Sequence, residues 1–138
     1  MTTLNPYLSF QDSAREAMEF YQSALGGDLE ISTFGEMPDM AQDDSQADLV
    51  MHAQLTTDDG LVLMASDTPA GMPHLAPQGI SVSLSGSDLE SLRTTWDRLS
   101  DGGTVVEPFV EAPWGGWFGM FTDRFGISWM IAAGEDWA

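Results

Sequence analysis

Residues 13–30, SAREAMEFYQSALGGDLE, read as one amphipathic helix that stops on two glycines and turns into an extended segment. Ser13 and Glu16 have the S-x-x-E spacing of a capping box, which gives two orphan donors of the first turn side-chain partners. Ala14, Ala17, Met18, Tyr21 and Leu25 recur at helical spacing and form one apolar stripe. Gly26 or Gly27 supplies the left-handed residue on which helices commonly end. Upstream, residues 4–10 (LNPYLSF) alternate after the proline. Leu8 and Phe10 fall on one face, Tyr7 and Ser9 on the other, as in a half-buried strand. Downstream, residues 28–34 (DLEISTF) form a second strand.

The same pattern returns at residues 87–107, SDLESLRTTWDRLSDGGTVVE. Ser87 and Glu90 make a second capping box, Leu89, Leu92, Trp96 and Leu99 a second stripe, and Gly102 and Gly103 a second stop. The caps lie 74 residues apart (13 to 87), the stripes 75 (14 to 89) and the glycine pairs 76 (26 to 102). This is a repeat of pattern rather than of residue identity, and it points to a duplicated module.

The remaining segments fill in both halves. Residues 36–48 are acidic and aperiodic, a loop. In residues 48–55 (DLVMHAQL), Val50, His52 and Gln54 alternate with Met51, Ala53 and Leu55. A short Asp-Asp-Gly turn joins this strand to the next, residues 61–67. Residues 68–79 hold three prolines and two glycines and form the connector between halves. Beyond it, Ile80, Val82 and Leu84 alternate with Ser81, Ser83 and Ser85, and three more strands follow at residues 104–111, 116–123 and 127–133. The expected fold is α+β, with two tandem βαβββ modules at about 4–67 and about 79–133 in one domain spanning 1–138. The sheets are expected to be antiparallel-rich, with the helices on the outer face.

Composition excludes several classes of function. There is no cysteine, so disulfides, thiolate metal sites and cysteine nucleophiles are ruled out. Twenty-two acids stand against four arginines and no lysine, a formal net charge of −18. Nucleic-acid backbones and anionic membrane surfaces both need clustered cations, which this chain cannot supply. The acidity is read as a solubility device. No apolar run is long enough to span a bilayer, and no N-terminal segment reads as a signal peptide, so a cytoplasmic protein is expected.

Few residues carry chemistry. His52 shares a strand face with Gln54 and is either a general base or orienting donor, or a polar strand residue with one hydrogen bond. His74 sits among prolines and reads as a loop residue. Ser81, Ser83 and Ser85 form a hydroxyl row without the Asp/His pattern a serine nucleophile needs. Asp43 with Asp44, and Asp58 with Asp59, lie in loops and turns and read as solvated charge. In PWGGWFGM (113–120), Trp114 and Trp117 flank glycines that permit close approach, and read either as a ligand clamp or as core.

A duplicated βαβββ module of this length resembles the vicinal oxygen chelate superfamily, which includes glyoxalase I, extradiol dioxygenases and bleomycin-resistance proteins. The stretches NPYLSF, AREAMEFY, LGGDL, FGEMP, MHAQL, LMASD and PWGGWFGMFTDRFGISWMI are similar to its PhnB-like branch and cover nearly the whole chain. The resemblance implies sheets curled around a shared cavity that binds a small organic molecule, and a homodimer. Its metal-dependent members hold a divalent cation on the first and last strands of each module. Those positions fall here on Asn5, Met64, Gly79 or Ser81, and Met130. An amide and thioethers are poor ligands for the expected ions, so no metal or other cofactor is expected. A metal-dependent lyase, isomerase or dioxygenase is the alternative reading, and a drug-sequestering protein without turnover is another. Some relatives carry a demethylubiquinone methyltransferase label, but no Gly-rich strand-to-helix loop for a methyl-donor nucleotide is present. Strand alternation puts Tyr7, Ser9, His52, Gln54, Ser81, Ser83 and Met130 on the cavity face, with Trp114 and Trp117 near its rim.

Overall fold

The computed structural model describes residues 2–36, 46–69 and 71–135. The chain divides into two compact units, Met1–Ala76 and Pro77–Ala138, with the boundary inside the Pro/Gly-rich connector. The α+β class and the two βαβββ modules are as expected. The first unit runs β1 (Tyr7–Phe10), α1 (Ala14–Leu25), β2 (Asp28–Thr33), β3 (Val50–Thr56) and β4 (Val62–Asp67). The second runs β5 (Val82–Gly86), α2 (Leu89–Ser100), β6 (Thr104–Glu111), β7 (Trp117–Thr122) and β8 (Ser128–Ala133). Most of the acidic loop, residues 37–45 with Asp43 and Asp44, lies outside the described residues.

Each unit builds one four-stranded mixed sheet, and the two have the same topology. The strand orders are β1-β4-β3-β2 and β5-β8-β7-β6. The first strand of each pairs in parallel with the last, β1 with β4 and β5 with β8, and the other pairs are antiparallel. Both helices have 12 residues and are offset by 75 at each end (14 to 89, 25 to 100). The repeat therefore reaches topology and register as well as pattern.

The helices bury one face of each sheet. Ala14, Ala17, Met18, Tyr21 and Ala24 of α1 pack against Leu8, Phe10, Ala53, Leu55, Leu63 and Ala65. Ala24, not Leu25, completes the buried stripe, because Leu25 stands at the helix end and is only half covered. In the second unit Trp96 and Leu99 are the buried residues of α2, over Phe121, Trp129 and Ile131. The Trp96 ring stacks on Phe109 at 5.3 Å and meets the Phe121 ring edge-on at 4.9 Å, geometries that aromatic quadrupoles favour. Leu89 and Leu92 are half-buried, and Ile80 is exposed ahead of β5, so the apolar row there begins at Val82.

Neither capping box forms. Ser13 occupies the N-cap of α1 without a side-chain bond. The buried Asp67 at the end of β4 takes that role instead, accepting from the Ala14 N–H at 2.9 Å and from the Val50 N–H at 2.9 Å. In α2 the cap is Asp88, one residue beyond Ser87, accepting from the Ser91 N–H at 3.1 Å. A β-bulge between Ser32 and Thr33 breaks the expected alternation in β3. It leaves Val50 fully buried, with Ala53 and Leu55 also in the core, while His52 and Gln54 are half-exposed.

Candidate functional site

The helix-free face of the first sheet is where the chemistry-bearing residues of that unit meet. Because α1 covers Leu8, Phe10, Ala53 and Leu55, the intervening residues of β1 and β3 turn the other way. Cross-strand register aligns them in rows. Tyr7 is paired with Met64, Met64 with Gln54, and Gln54 with Glu30. Ser9 is paired with Ser66, and His52 with Ser32. The Tyr7 hydroxyl lies 3.0 Å from His52 Nδ1, and the two rings are tilted at 5.6 Å. Tyr7 is half-exposed and His52 partly buried, so the couple is both held and reachable. Gln54 makes one long bond along its own strand, from Nε2 to Thr56 Oγ1 at 3.4 Å. Four of the expected site residues, Tyr7, Ser9, His52 and Gln54, are thus brought together.

The corresponding face of the second sheet carries Ser83, paired with Met130, which is paired with Met120, which is paired with Glu107. Ser81 lies just before β5, with its hydroxyl 2.8 Å from that of Ser128 on β8. Trp129 and Ile131 face α2 and are buried, which leaves Met130 on the helix-free side as expected. The equivalents of His52 and Gln54 here are Phe118 and Met120, so this face is apolar where the first is polar.

The two tryptophans part company. Trp117 does not join the helix-free face. It alternates with Gly119 and Phe121 on the side of α2, 5.8 Å from the Phe109 ring, with the Arg93 guanidinium of α2 4.8 Å above it. The apolar spacing 117–119–121 was the signal for this. Trp114 is 76% exposed in the β6–β7 turn and packs edge-on against Phe118 at 6.1 Å. It borders a groove of about 330 Å³ lined by Val110, Pro113 and Phe118 together with the carboxylates Glu107 and Glu111. His74, read as a loop residue, is half-buried, with Nδ1 3.1 Å from Thr68 Oγ1.

The residues do not fit the groups the fold suggests. The position on β1 aligned with Met64 is Tyr7, not Asn5, whose side chain instead donates to Thr3 Oγ1 at 2.9 Å. The position on β5 aligned with Met130 is Ser83. A phenol, a hydroxyl and two thioethers offer no carboxylate or imidazole to a divalent ion. Among the described residues no three His, Asp or Glu side chains gather as a metal cluster. Nor do the strand-to-helix junctions favour a methyl-donor nucleotide. The Ala14 N–H is taken by Asp67 and the Ser91 N–H by Asp88, so each helix N-terminus is already served by a carboxylate of the chain itself.

Comparison with known proteins agrees with this architecture. Residues 2–132 match the family model described as 3-demethylubiquinone-9 3-methyltransferase. The crystal structure of protein PA1353 from Pseudomonas aeruginosa is 36% identical, with a TM-score of 0.87 over 97% of this chain and 98% of that one. The PhnB protein from Bacillus cereus is 24% identical, with a TM-score of 0.77 over 96% of this chain and 100% of its own. A glyoxylase/bleomycin resistance protein/dioxygenase domain from Frankia sp. EAN1pec shares the fold at 18% identity, with a TM-score of 0.65 over 98% of both chains. The chain therefore belongs to the family described as 3-demethylubiquinone-9 3-methyltransferase, and it shares its fold with the PhnB and glyoxylase/bleomycin resistance structures.

Proposed function

We propose that this protein binds a small organic molecule on the helix-free face of the first sheet, without a metal ion. The observation that carries the reading is the Tyr7–His52 couple at 3.0 Å with Gln54 on the same face. A few convergent polar groups are what fixes a ligand's orientation in a small-molecule site. The names of solved structures that share the fold, which include bleomycin resistance and dioxygenase, support a ligand of that size. They do not choose between binding and turnover. Where turnover occurs, His52 is the base within reach of the ligand.

The chain contains two histidines, His52 and His74, so imidazole ¹H–¹⁵N spectra report the site nearly free of overlap. A fragment that binds there moves the His52 signals and leaves those of His74 in place. A broad fragment set that never moves His52 would refute the site. Metal independence has its own test. Protein purified without chelator and then dialysed should carry Zn, Ni, Mn and Fe at well below one equivalent per chain. A near-stoichiometric ion, lost in Asn5→Ala or His52→Ala, would restore a metalloenzyme.

The reading includes a homodimer. Its support is β6, an edge strand exposed along nearly its whole length, with Val105, Val106 and Val110 beside the exposed Trp114. Long exposed apolar edges are normally covered. Light scattering at micromolar concentration should give twice the 15.0 kDa chain mass, and a value at the chain mass itself would rule the dimer out. Among the described residues no helix is long and apolar enough to cross a membrane.

A further inference from the structure

We infer that this site takes an uncharged or cationic ligand presenting a hydrogen-bond donor and acceptor side by side, and that it rejects anions. The inference rests on the reading above that the helix-free face of the first sheet is a binding site. It adds the chemical class of what binds.

The first half of the argument is the placement of charge. The chain has four cationic side chains besides histidine, all arginines. Arg15 stands on the exposed side of α1, which covers the opposite face of the same sheet. Arg93 and Arg98 lie on α2; Arg93 is stacked on Trp117. Arg124 holds Asp101, donating to its carbonyl at 2.9 Å and to its carboxylate at 3.2 Å. None belongs to the helix-free face. That face instead carries the exposed Glu30, directly across from Gln54. A carboxylate or phosphate bound beside Gln54 would face a like charge without a partner, inside a protein of net charge −18.

The second half is the chemistry of the couple. One proton is shared between the Tyr7 hydroxyl and His52 Nδ1. If the phenol donates, neutral His52 keeps its proton on Nε2, leaving an N–H donor and a phenol-oxygen acceptor. If Nδ1 donates, the phenol proton is free to donate and Nε2 accepts. Either way the couple offers one donor and one acceptor, and the two tautomers exchange their places. The Gln54 amide repeats that pairing one step along the face. Amides, lactams and hydroxyketones match it. Carboxylates, which only accept, leave one acceptor facing another.

The test uses three fragment series of matched shape, all at pH 8: benzamides, benzoates, and aminomethylbenzamides, which are cations that keep the amide's donor and acceptor. Shifts of the His52 ring nitrogens are the readout. Benzamides and aminomethylbenzamides should bind roughly five- to ten-fold tighter than benzoates, the scale expected for one well-exposed charge a few ångströms away, close to the bulk-water limit. Glu30→Lys should raise benzoate affinity by a similar factor and still bind benzamides, which shows that the sheet is intact. Benzoates that bind wild-type protein as tightly as benzamides, or no better to Glu30→Lys, overturn the ligand class while the site stands. If no fragment of any series moves His52, the binding site itself fails and the class falls with it.

Discussion

Asp67→Ala is expected to lower the stability of the folded chain by about 3–5 kcal/mol, read as a drop in urea midpoint at unchanged slope. Asp67 is 4% exposed, and its two oxygens accept from two backbone amides far apart in sequence, Ala14 at the start of α1 and Val50 at the start of β3. One carboxylate thus joins the helix N-terminus to the centre of the sheet it packs on. Alanine leaves both donors buried and unpaired, and hydrogen bonds to a charged group are worth roughly 1.5–3 kcal/mol each. Asparagine keeps one acceptor oxygen but turns an amide N–H toward the other donor, so it should recover only part of the loss. The second unit supplies an internal control. Its equivalent of Asp67 is Ala133, at the paired end of β8, and α2 is capped by the exposed Asp88 instead. Asp88→Ala should cost only about 1 kcal/mol, the usual value of an N-cap. Comparable losses for the two variants would mean that the Asp67 bonds do not hold the first unit together.

The same comparison shows what the sequence could and could not reveal. The two helical stripes, both glycine stops and the alternation in β1 and β5 depend on residues a few positions apart, and they were legible except at the ends, where Ala24 replaces Leu25 and Ile80 falls outside β5. The caps were not. The partner of Ala14 lies 53 residues away, and no local spacing marks it. The S-x-x-E pairs were present at both helix starts, but a buried carboxylate at one and a neighbouring aspartate at the other supplied the donors' partners first. Val50 was misplaced because a bulge shifts register without leaving a mark in composition. The site was legible to the extent that strand alternation decides it. Tyr7, Ser9, His52 and Gln54 fall together because their neighbours must face α1. That the Tyr7 hydroxyl reaches His52 Nδ1 depends on which strands are adjacent, and the β1-β4-β3 order cannot be read from either segment alone. Trp117 was a different failure. Its glycine neighbours suggested an open rim, whereas the apolar alternation it shares with Gly119 and Phe121 set it under α2.

Gly27→Ala should be comparably damaging, roughly 2–6 kcal/mol, and its cause can be separated from the glycine's backbone freedom. Gly27 has φ +96°, and a Cβ there would sit 2.2 Å from the Thr56 carbonyl oxygen and 2.6 Å from Thr57 Cα. Both neighbours are backbone at the end of β3, where Thr56 is paired with Asp28, so they cannot swing aside as a side chain would. The second unit repeats the contact. A Cβ on Gly103 would lie 2.2 Å from the Thr122 carbonyl oxygen and 2.9 Å from Asp123 Cα, at the end of β7. In both units the chain leaves the helix and crosses the hairpin end so closely that only hydrogen fits. Gly103 lies outside the left-handed region, so Gly103→Ala carries the clash alone, roughly 1–3 kcal/mol for overpacking against a fixed wall. Gly26 has φ +77° and ψ −175° with open space around it, a backbone region that is essentially glycine's own, so Gly26→Ala carries the backbone penalty alone, roughly 1–3 kcal/mol. Gly27→Ala combines both terms and should approach their sum. Urea titrations of the three variants therefore test the packing as well as the ranking. A Gly27→Ala loss no larger than that of Gly26→Ala would show that the close crossing of helix exit and hairpin is not a feature of the folded protein.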